Sequence, residues 1–97
     1  MHHIVRQKIL NMLDMDPKEG VAVSIPHAVH LLTRTFGRRN CRKGVPLVPW
    51  KEMTKDRGNL RRLMRGTYDE DFINSVVKEI YDLNTKKDIR SWATVTP

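Results

Sequence analysis

A chain of 97 residues, 39% hydrophobic and 30% charged, has the composition of one globular domain, which excludes a disordered chain. Its net charge of +7 and pI of about 10 favour a polyanionic partner: nucleic acid first, then an acidic protein or an anionic membrane surface. No apolar run is long enough to span a bilayer, the N-terminus is too polar for a signal peptide, and the single cysteine cannot form an internal disulfide, so we expect a cytoplasmic protein.

The first half of the chain contains two segments with helical periodicity. Residues 3–14 repeat apolar side chains at nearly helical spacing and predict an amphipathic helix. A second helix is predicted after Ser24, a good N-cap, with Pro26 in its first turn and its end at Gly37. Two prolines within the next apolar stretch, 45–49, predict an extended connector.

The second half contains two longer helices. The third is predicted over residues 50–65, where Gly58 costs roughly 1 kcal/mol relative to alanine and is a point at which the helix could break. The fourth begins at a capping box, in which Thr67 accepts from the backbone and Glu70 reaches back. Its apolar stripe predicts a stop near Asn84.

The predicted fold class is all-α, a small bundle of about four helices. A core of Ile, Val, Leu and Met with few aromatic residues suits packed helices. Residues 1–97 form a single basic helical domain, and the tail, 85–97, is either extended or packs back through Ile89 and Trp92. Helix-turn-helix and winged-helix arrangements are the finer alternatives, with a short extended piece near 45–48.

The positive charge is concentrated in residues 34–65. This segment has eleven basic and two acidic residues, a formal charge of +9, whereas the remainder has seven basic and nine acidic residues, a formal charge of −2. Most of the basic residues are arginines, which bind phosphate through two hydrogen bonds and stack on exposed bases. Like charges at this density repel each other, and a polyanion would relieve that repulsion.

The predicted interface combines three parts of this segment. Arg57, Arg61 and Arg65 recur every four residues as one ridge, a flexible basic loop spans 38–43, and Trp50 lies between them, where it would stack on a base. The predicted nucleic-acid-binding residues are Arg34, Arg38, Arg39, Arg42, Lys43, Trp50, Lys51, Lys55, Arg57, Arg61, Arg62 and Arg65. A solvated basic face without a specific partner is the alternative. We expect DNA before RNA, although charge alone does not separate them.

Candidate catalytic and metal-binding residues are few. His27 and His30 lie one helical turn apart and Cys41 is a third candidate ligand, but no fourth ligand has a recognisable spacing. Nothing in the sequence implies a base beside Cys41, and the carboxylates of 69–71 are explained by their place at a helix start. The sequence therefore predicts no catalytic residue, no metal and no cofactor, and a protein that is not an enzyme.

Residues 31–83 contain a further series of patterns. Leu-Leu-Thr-Arg-Thr-Phe-Gly-Arg-Arg begins at Leu31, a proline-containing linker follows, and Leu60-Arg61-Arg62-Leu63 precedes a short acidic turn and an apolar helix. This series resembles a helical module of phage and plasmid replication-initiation and helicase-loading proteins. The resemblance implies a replication or regulatory accessory of a phage or mobile element.

Two other functions stay open. A small phage-type protein that binds and modulates an acidic surface of a host protein would have the same charge, and so would an RNA-binding or ribosome-associated protein. We expect no membrane partner, and the sequence leaves the oligomeric state open.

Overall fold

Four helices and two short strands form the protein in a computed structural model that describes residues 1–97. The helices are α1 (Gln7–Met12), α2 (His27–His30), α3 (Pro49–Met64) and α4 (Glu70–Lys86), the strands are β1 (His2–His3) and β2 (Ala22–Val23), and single 3₁₀ turns cover Pro17–Glu19 and Ile89–Ser91. The prediction of a mostly helical fold is confirmed. No helix combines the length and the apolar character needed to cross a membrane.

The α3–α4 hairpin contributes six of the 13 buried residues of the hydrophobic core. Ile73, Val77 and Ile80 recur on one side of α4 and are buried, and Leu60 on α3 is fully buried against the same cluster. Burying each such side chain contributes about 1.5–3 kcal/mol. The two helices run antiparallel, and α3 carries the basic side chains Lys51, Lys55 and Arg62 on its exposed side.

In the N-terminal segment, residues 1–14, the helix is shorter than predicted. The predicted helix 3–14 is wrong at its start, because β1 pairs with β2 in an antiparallel register that places His2 opposite Val23. The amide of Ile4 continues this pairing by donating to the carbonyl of Val21 at 2.8 Å. A contact across 20 residues of sequence thus overrides the helical periodicity of these first residues.

The second helix also ends early. It was predicted to extend to Gly37, but α2 ends at His30. The backbone N–H of Arg34 donates to the side chain of Asn59 at 3.0 Å and is therefore not available to a helical hydrogen bond. Gly37 has a positive φ of 61°, a conformation that glycine adopts without strain and that suits a turn.

The start of α4 differs from the predicted capping box. Asp69, not Thr67, is the N-cap, and its Oδ1 accepts a hydrogen bond from the backbone N–H of Phe72 at 2.9 Å. Helix α4 ends at Lys86, two residues beyond the predicted stop, and Asn84 is buried within the helix. Its Nδ2 donates to the carbonyl of Ile4 at 3.1 Å, which ties α4 to the N-terminal segment.

The C-terminal tail lies against the bundle. Ile89 and Val95 are 1% and 7% exposed, and Trp92 is half-buried. Leu47 and Val95 exchange two backbone hydrogen bonds of 2.7 and 3.0 Å, so the connector before α3 is extended where it meets the tail. This pairing fixes the point at which α3 begins.

Helix α3 runs without a break through Gly58, and we expect Gly58→Ala to stabilise the protein by about 0.5–1 kcal/mol. A Cβ built on Gly58 meets nothing within 4 Å, so alanine removes unfolded-state freedom without a clash. Gly66→Ala is the matched control, since its surroundings are equally open but its φ of +86° strains any other residue. Urea denaturation should show opposite signs for the two variants, and a loss of stability in Gly58→Ala would contradict the argument.

Candidate nucleic-acid interface

The basic side chains of α3 lie on two different faces of the helix. Lys51, Lys55 and Arg62 are exposed and follow one another at intervals of four and seven residues, on the side opposite the buried Leu60. We call these three residues the basic ridge. Arg57 and Arg61 are half-buried on the side that faces α4.

Arg57 and Arg61 connect α3 to α4. The Nε of Arg57 donates to the carbonyl of Val77 at 2.9 Å, and its guanidinium lies 4.9 Å from the centre of the Tyr81 ring. Burial, together with the nearby charge of Arg61, lowers the pKa of Arg57. Arg61 donates to the side-chain oxygen of Asn74. These two arginines hold the hairpin together, so they do not form the exposed ridge that their spacing predicted.

Arg65 is separated from the other arginines by the end of the helix. It follows the last residue of α3 with extended backbone, and its Nε lies 3.4 Å from a carboxylate oxygen of Glu70. Both side chains are more than half exposed, and such a pair contributes little to stability. The structure therefore does not bring Arg57, Arg61 and Arg65 together on one surface.

Arg34 lies in an internal ion-pair cluster. Its Nη1 is 2.6 Å from a carboxylate oxygen of Glu52 and 2.6 Å from one of Asp56. Both carboxylates are buried. Burial raises the pKa of Asp56 to about 6, although the hydrogen bond and charge of Arg34 act in the opposite direction. Because its charge is needed here, Arg34 is not among the cations that we propose for phosphate contact.

The basic loop, residues 38–43, is held in place by side chains rather than free. The buried guanidinium of Arg6 donates through Nη2 to the carbonyls of Arg39 and Asn40, at 2.8 and 3.3 Å. Arg39 in turn donates to the carbonyl of Leu31 at 2.6 Å, and its guanidinium lies over the ring of Phe36. The loop described as flexible from its sequence is thus folded onto the N-terminal segment.

Three cations of this loop remain unpaired. Arg38, Arg42 and Lys43 are exposed, and none forms an ion pair or a side-chain hydrogen bond within the chain. The segment that leads into the loop lies beside α3, because Arg34 contacts the helix face that carries Glu52 and Asp56. That face adjoins the basic ridge around the helix circumference.

The ring of Trp50 is less exposed for stacking on a base than its position in the sequence predicted. Its ring is half-buried against the core, and the guanidinium of Arg90 lies 4.7 Å from the ring centre. The Nζ of Lys51 lies 5.8 Å from the same ring. Cations that occupy an aromatic face are attracted to its electrons, so a base would have to displace Arg90 or use the other face. Arg90 is therefore a residue of this surface that sequence reasoning missed.

The candidate metal ligands are not assembled. Nowhere in the chain do three or more His, Cys, Asp or Glu side chains come together as metal ligands would. His27 is exposed, and the ring of His30 packs against the rings of His2 and Phe36 at 5.3 and 5.4 Å. Burial, and secondly the charge of His30, lowers the pKa of His2 to about 4. The imidazoles of His2 and His30 thus pack against each other, whereas that of His27 is exposed.

Comparison of the chain with family models, curated proteins and solved structures finds no match. The resemblance of residues 31–83 to replication-initiation and helicase-loading modules stays a prediction.

Proposed function

We propose that this protein binds nucleic acid without catalysing a reaction, and that it contacts phosphates through the basic ridge and the basic loop. The observation that carries the proposal is a contrast in pairing. Within residues 34–65, the buried carboxylates of Glu52 and Asp56 form ion pairs with Arg34 alone. The exposed cations of the basic ridge and of the basic loop have no carboxylate partner. Exposed cations without carboxylate partners at this density along the chain favour a polyanion as the missing partner.

The surface so defined is smaller than the set predicted from sequence. It contains six exposed cations without an ion pair: Arg38, Arg42, Lys43, Lys51, Lys55 and Arg62. Arg39 lies next to them with its guanidinium bound to backbone carbonyls. Phosphate contacts give affinity and position but carry no sequence information. The proposal is therefore binding with little sequence preference, to DNA before RNA.

The finer fold type bears on how a duplex would be contacted. In a helix-turn-helix protein the second helix enters the major groove and its side chains reach the base edges. Here α3 and α4 stay in contact as far from their connecting turn as Arg57 and Val77, as in an antiparallel αα-hairpin. We therefore propose contact of the α3 face with the phosphate backbone, and assign neither a recognition helix nor a wing.

The setting that we propose is replication or regulation in a phage or mobile element, in the cytoplasm. It is supported by the resemblance of residues 31–83 to modules of replication-initiation and helicase-loading proteins.

Salt dependence tests the proposal most directly. If the six cations each neutralise one phosphate, the logarithm of the affinity for duplex DNA should fall with the logarithm of salt concentration with a slope of about −5. Affinity should then drop roughly 1000-fold between about 50 and 200 mM salt. Fluorescence anisotropy with labelled single-stranded DNA, duplex DNA and RNA measures this slope and ranks the three ligands. Binding to all three no tighter than that of a generic polycation would contradict the proposal.

A second candidate function is docking on an acidic surface of a host protein. It is favoured by an apolar cleft of about 300 Å³ between α2 and the α3–α4 hairpin, lined by Leu63, Tyr68 and Phe72. Arg62 and Arg65 flank Leu63 in sequence and are exposed, so this region offers apolar and basic contacts together. Phe72→Ala separates the two functions, because it should leave nucleic-acid affinity unchanged and weaken a protein complex.

A further inference from the structure

A basic cavity lies between the N-terminal segment and the basic loop. Its volume is about 420 Å³, and the residues that line it include Arg6, Lys8, Arg38, Lys43 and Cys41. No Asp or Glu side chain lines it. The lining also includes Pro97, at the end of the chain. Four cations facing one cavity without an Asp or Glu side chain generate a positive potential that an anion would neutralise.

Arg6 gives this cavity a feature that surface charge alone does not. The residue is 7% exposed, and a buried arginine is normally paired with a carboxylate. No carboxylate lies within ion-pair distance of Arg6, since Asp56, which feels its charge, is bound by Arg34. The Nε of Arg6 is enclosed without an acceptor, and Nη1 makes no hydrogen bond within the chain. The guanidinium thus lacks a counter-ion.

The other three cations come from separate parts of the chain. Lys8 belongs to α1, and Arg38 and Lys43 lie at the two ends of the basic loop. All three are exposed and form no ion pair, and Pro97, at the cavity's edge, forms none with them. Because Arg6 also fixes the loop through the carbonyl of Arg39, their arrangement is set by the fold.

We propose that this cavity binds a phosphate monoester. A monoester carries a charge between −1.5 and −2 at neutral pH and presents three acceptor oxygens, which suits several converging cations better than the single charge of a backbone diester. The inference rests on the proposed function and deepens it, because Arg38 and Lys43 belong both to the proposed nucleic-acid surface and to the lining of this cavity. The monoester has two possible sources: the terminal phosphate of a nucleic-acid strand, or a small phosphorylated compound.

Inorganic phosphate is the first probe, and Cys41 is a built-in reporter because it is the only cysteine and lines the cavity. Phosphate should slow alkylation of Cys41 by iodoacetamide at least threefold, and should shift the amide resonances of Gly37 and Arg38. Sodium chloride at the same ionic strength should do neither. Equal effects of the two salts would overturn the site.

Lys8→Gln tests the geometry, since Lys8 lies in the cavity and outside the proposed ridge and loop. We expect the dissociation constant for phosphate to increase 3- to 10-fold, as for the loss of one partly exposed charged contact. Lys86→Gln is the matched control, because Lys86 is exposed on α4 and does not line the cavity. Equal weakening in both variants would reduce the effect to net charge and overturn the site.

Oligonucleotides with and without a 5′-phosphate separate the two sources. A 5′-phosphate that tightens binding at least threefold in the wild type and in Lys86→Gln, but not in Lys8→Gln, identifies a strand end as the ligand. Phosphate binding without this preference supports the site with a small phosphorylated compound as its ligand. If oligonucleotides do not bind while phosphate does, the proposed function fails and the site stands. If oligonucleotides bind and phosphate acts only as chloride does, the site fails and the proposed function stands.

Discussion

Replacing Arg34 with alanine is expected to lower the free energy of unfolding by about 3 kcal/mol at pH 7.5. The reason is that Glu52 and Asp56 are 4% and 1% exposed and share Arg34 as their only cationic partner, each at 2.6 Å. Removal of one member of a buried ion pair leaves an uncompensated buried charge, which typically costs 3–5 kcal/mol. Urea denaturation followed by circular dichroism measures the loss.

The pH dependence of this loss follows from Asp56. Burial raises its pKa to about 6 from an ordinary value of 3.8, so between about pH 4 and 6 the folded state binds more protons than the unfolded state. The contribution of Asp56 to the free energy of unfolding therefore falls as the pH rises from about 4 to 6. Without Arg34, whose hydrogen bond and charge lower this pKa, the pKa should rise further. The cost of Arg34→Ala should accordingly be about 1 kcal/mol smaller at pH 5 than at pH 7.5.

Two controls make the Arg34 result specific. Arg62→Ala removes an exposed cation without an ion pair and should change stability by less than about 0.5 kcal/mol. Adding Asp56→Asn to Arg34→Ala should recover part of the loss, because one of the two orphaned charges is then gone. An Arg34→Ala protein as stable as the wild type at pH 7.5 would show that the ion-pair cluster does not support the fold.

The sequence predicts α3 and α4 well because their signals are local. Ile73, Val77 and Ile80 repeat at helical spacing, and packing, helix propensity and periodicity agree along the whole stripe. The N-terminal half is predicted less well because its conformation depends on distant contacts. Pairing of His2 with Val23 and donation from Arg34 to Asn59 connect residues far apart in sequence, which no local pattern reveals.

The exposed basic face of α3 could have been predicted from the sequence. The spacing of Arg57, Arg61 and Arg65 by itself carries no information about the direction of the core. The apolar positions Met53, Leu60 and Met64 fix the direction of the core, and the residues opposite them are those of the basic ridge. This signal was present in the sequence.

The acidic residues of the same helix carried a second signal. Glu52 and Asp56 are the only acids among residues 34–65, lie four residues apart, and border the apolar positions. Carboxylates at the edge of a core predict a buried cationic partner. That this partner is Arg34, and that Arg6 fixes the basic loop from 33 residues away, depends on the tertiary structure.

The largest effect on binding is expected from removal of the basic ridge. A variant with Lys51→Gln, Lys55→Gln and Arg62→Gln should bind duplex DNA about 100-fold more weakly at about 100 mM salt, roughly fivefold for each lost phosphate contact. Its salt slope should be less steep by about 2 to 3, because three fewer counterions are released. Since the three side chains are exposed and bear no ion pair, the stability of the protein should be nearly unchanged.

A matched variant distinguishes the ridge from the total charge. Lys18→Gln, Lys86→Gln and Lys87→Gln together remove the same three charges from exposed positions outside the ridge and loop. If contacts at the ridge are responsible for affinity, this control keeps the wild-type salt slope and loses only the small, long-range part of the attraction, which salt screens. Equal losses in the two triple variants would mean that net charge alone attracts the nucleic acid, and the ridge would then have no special part in binding.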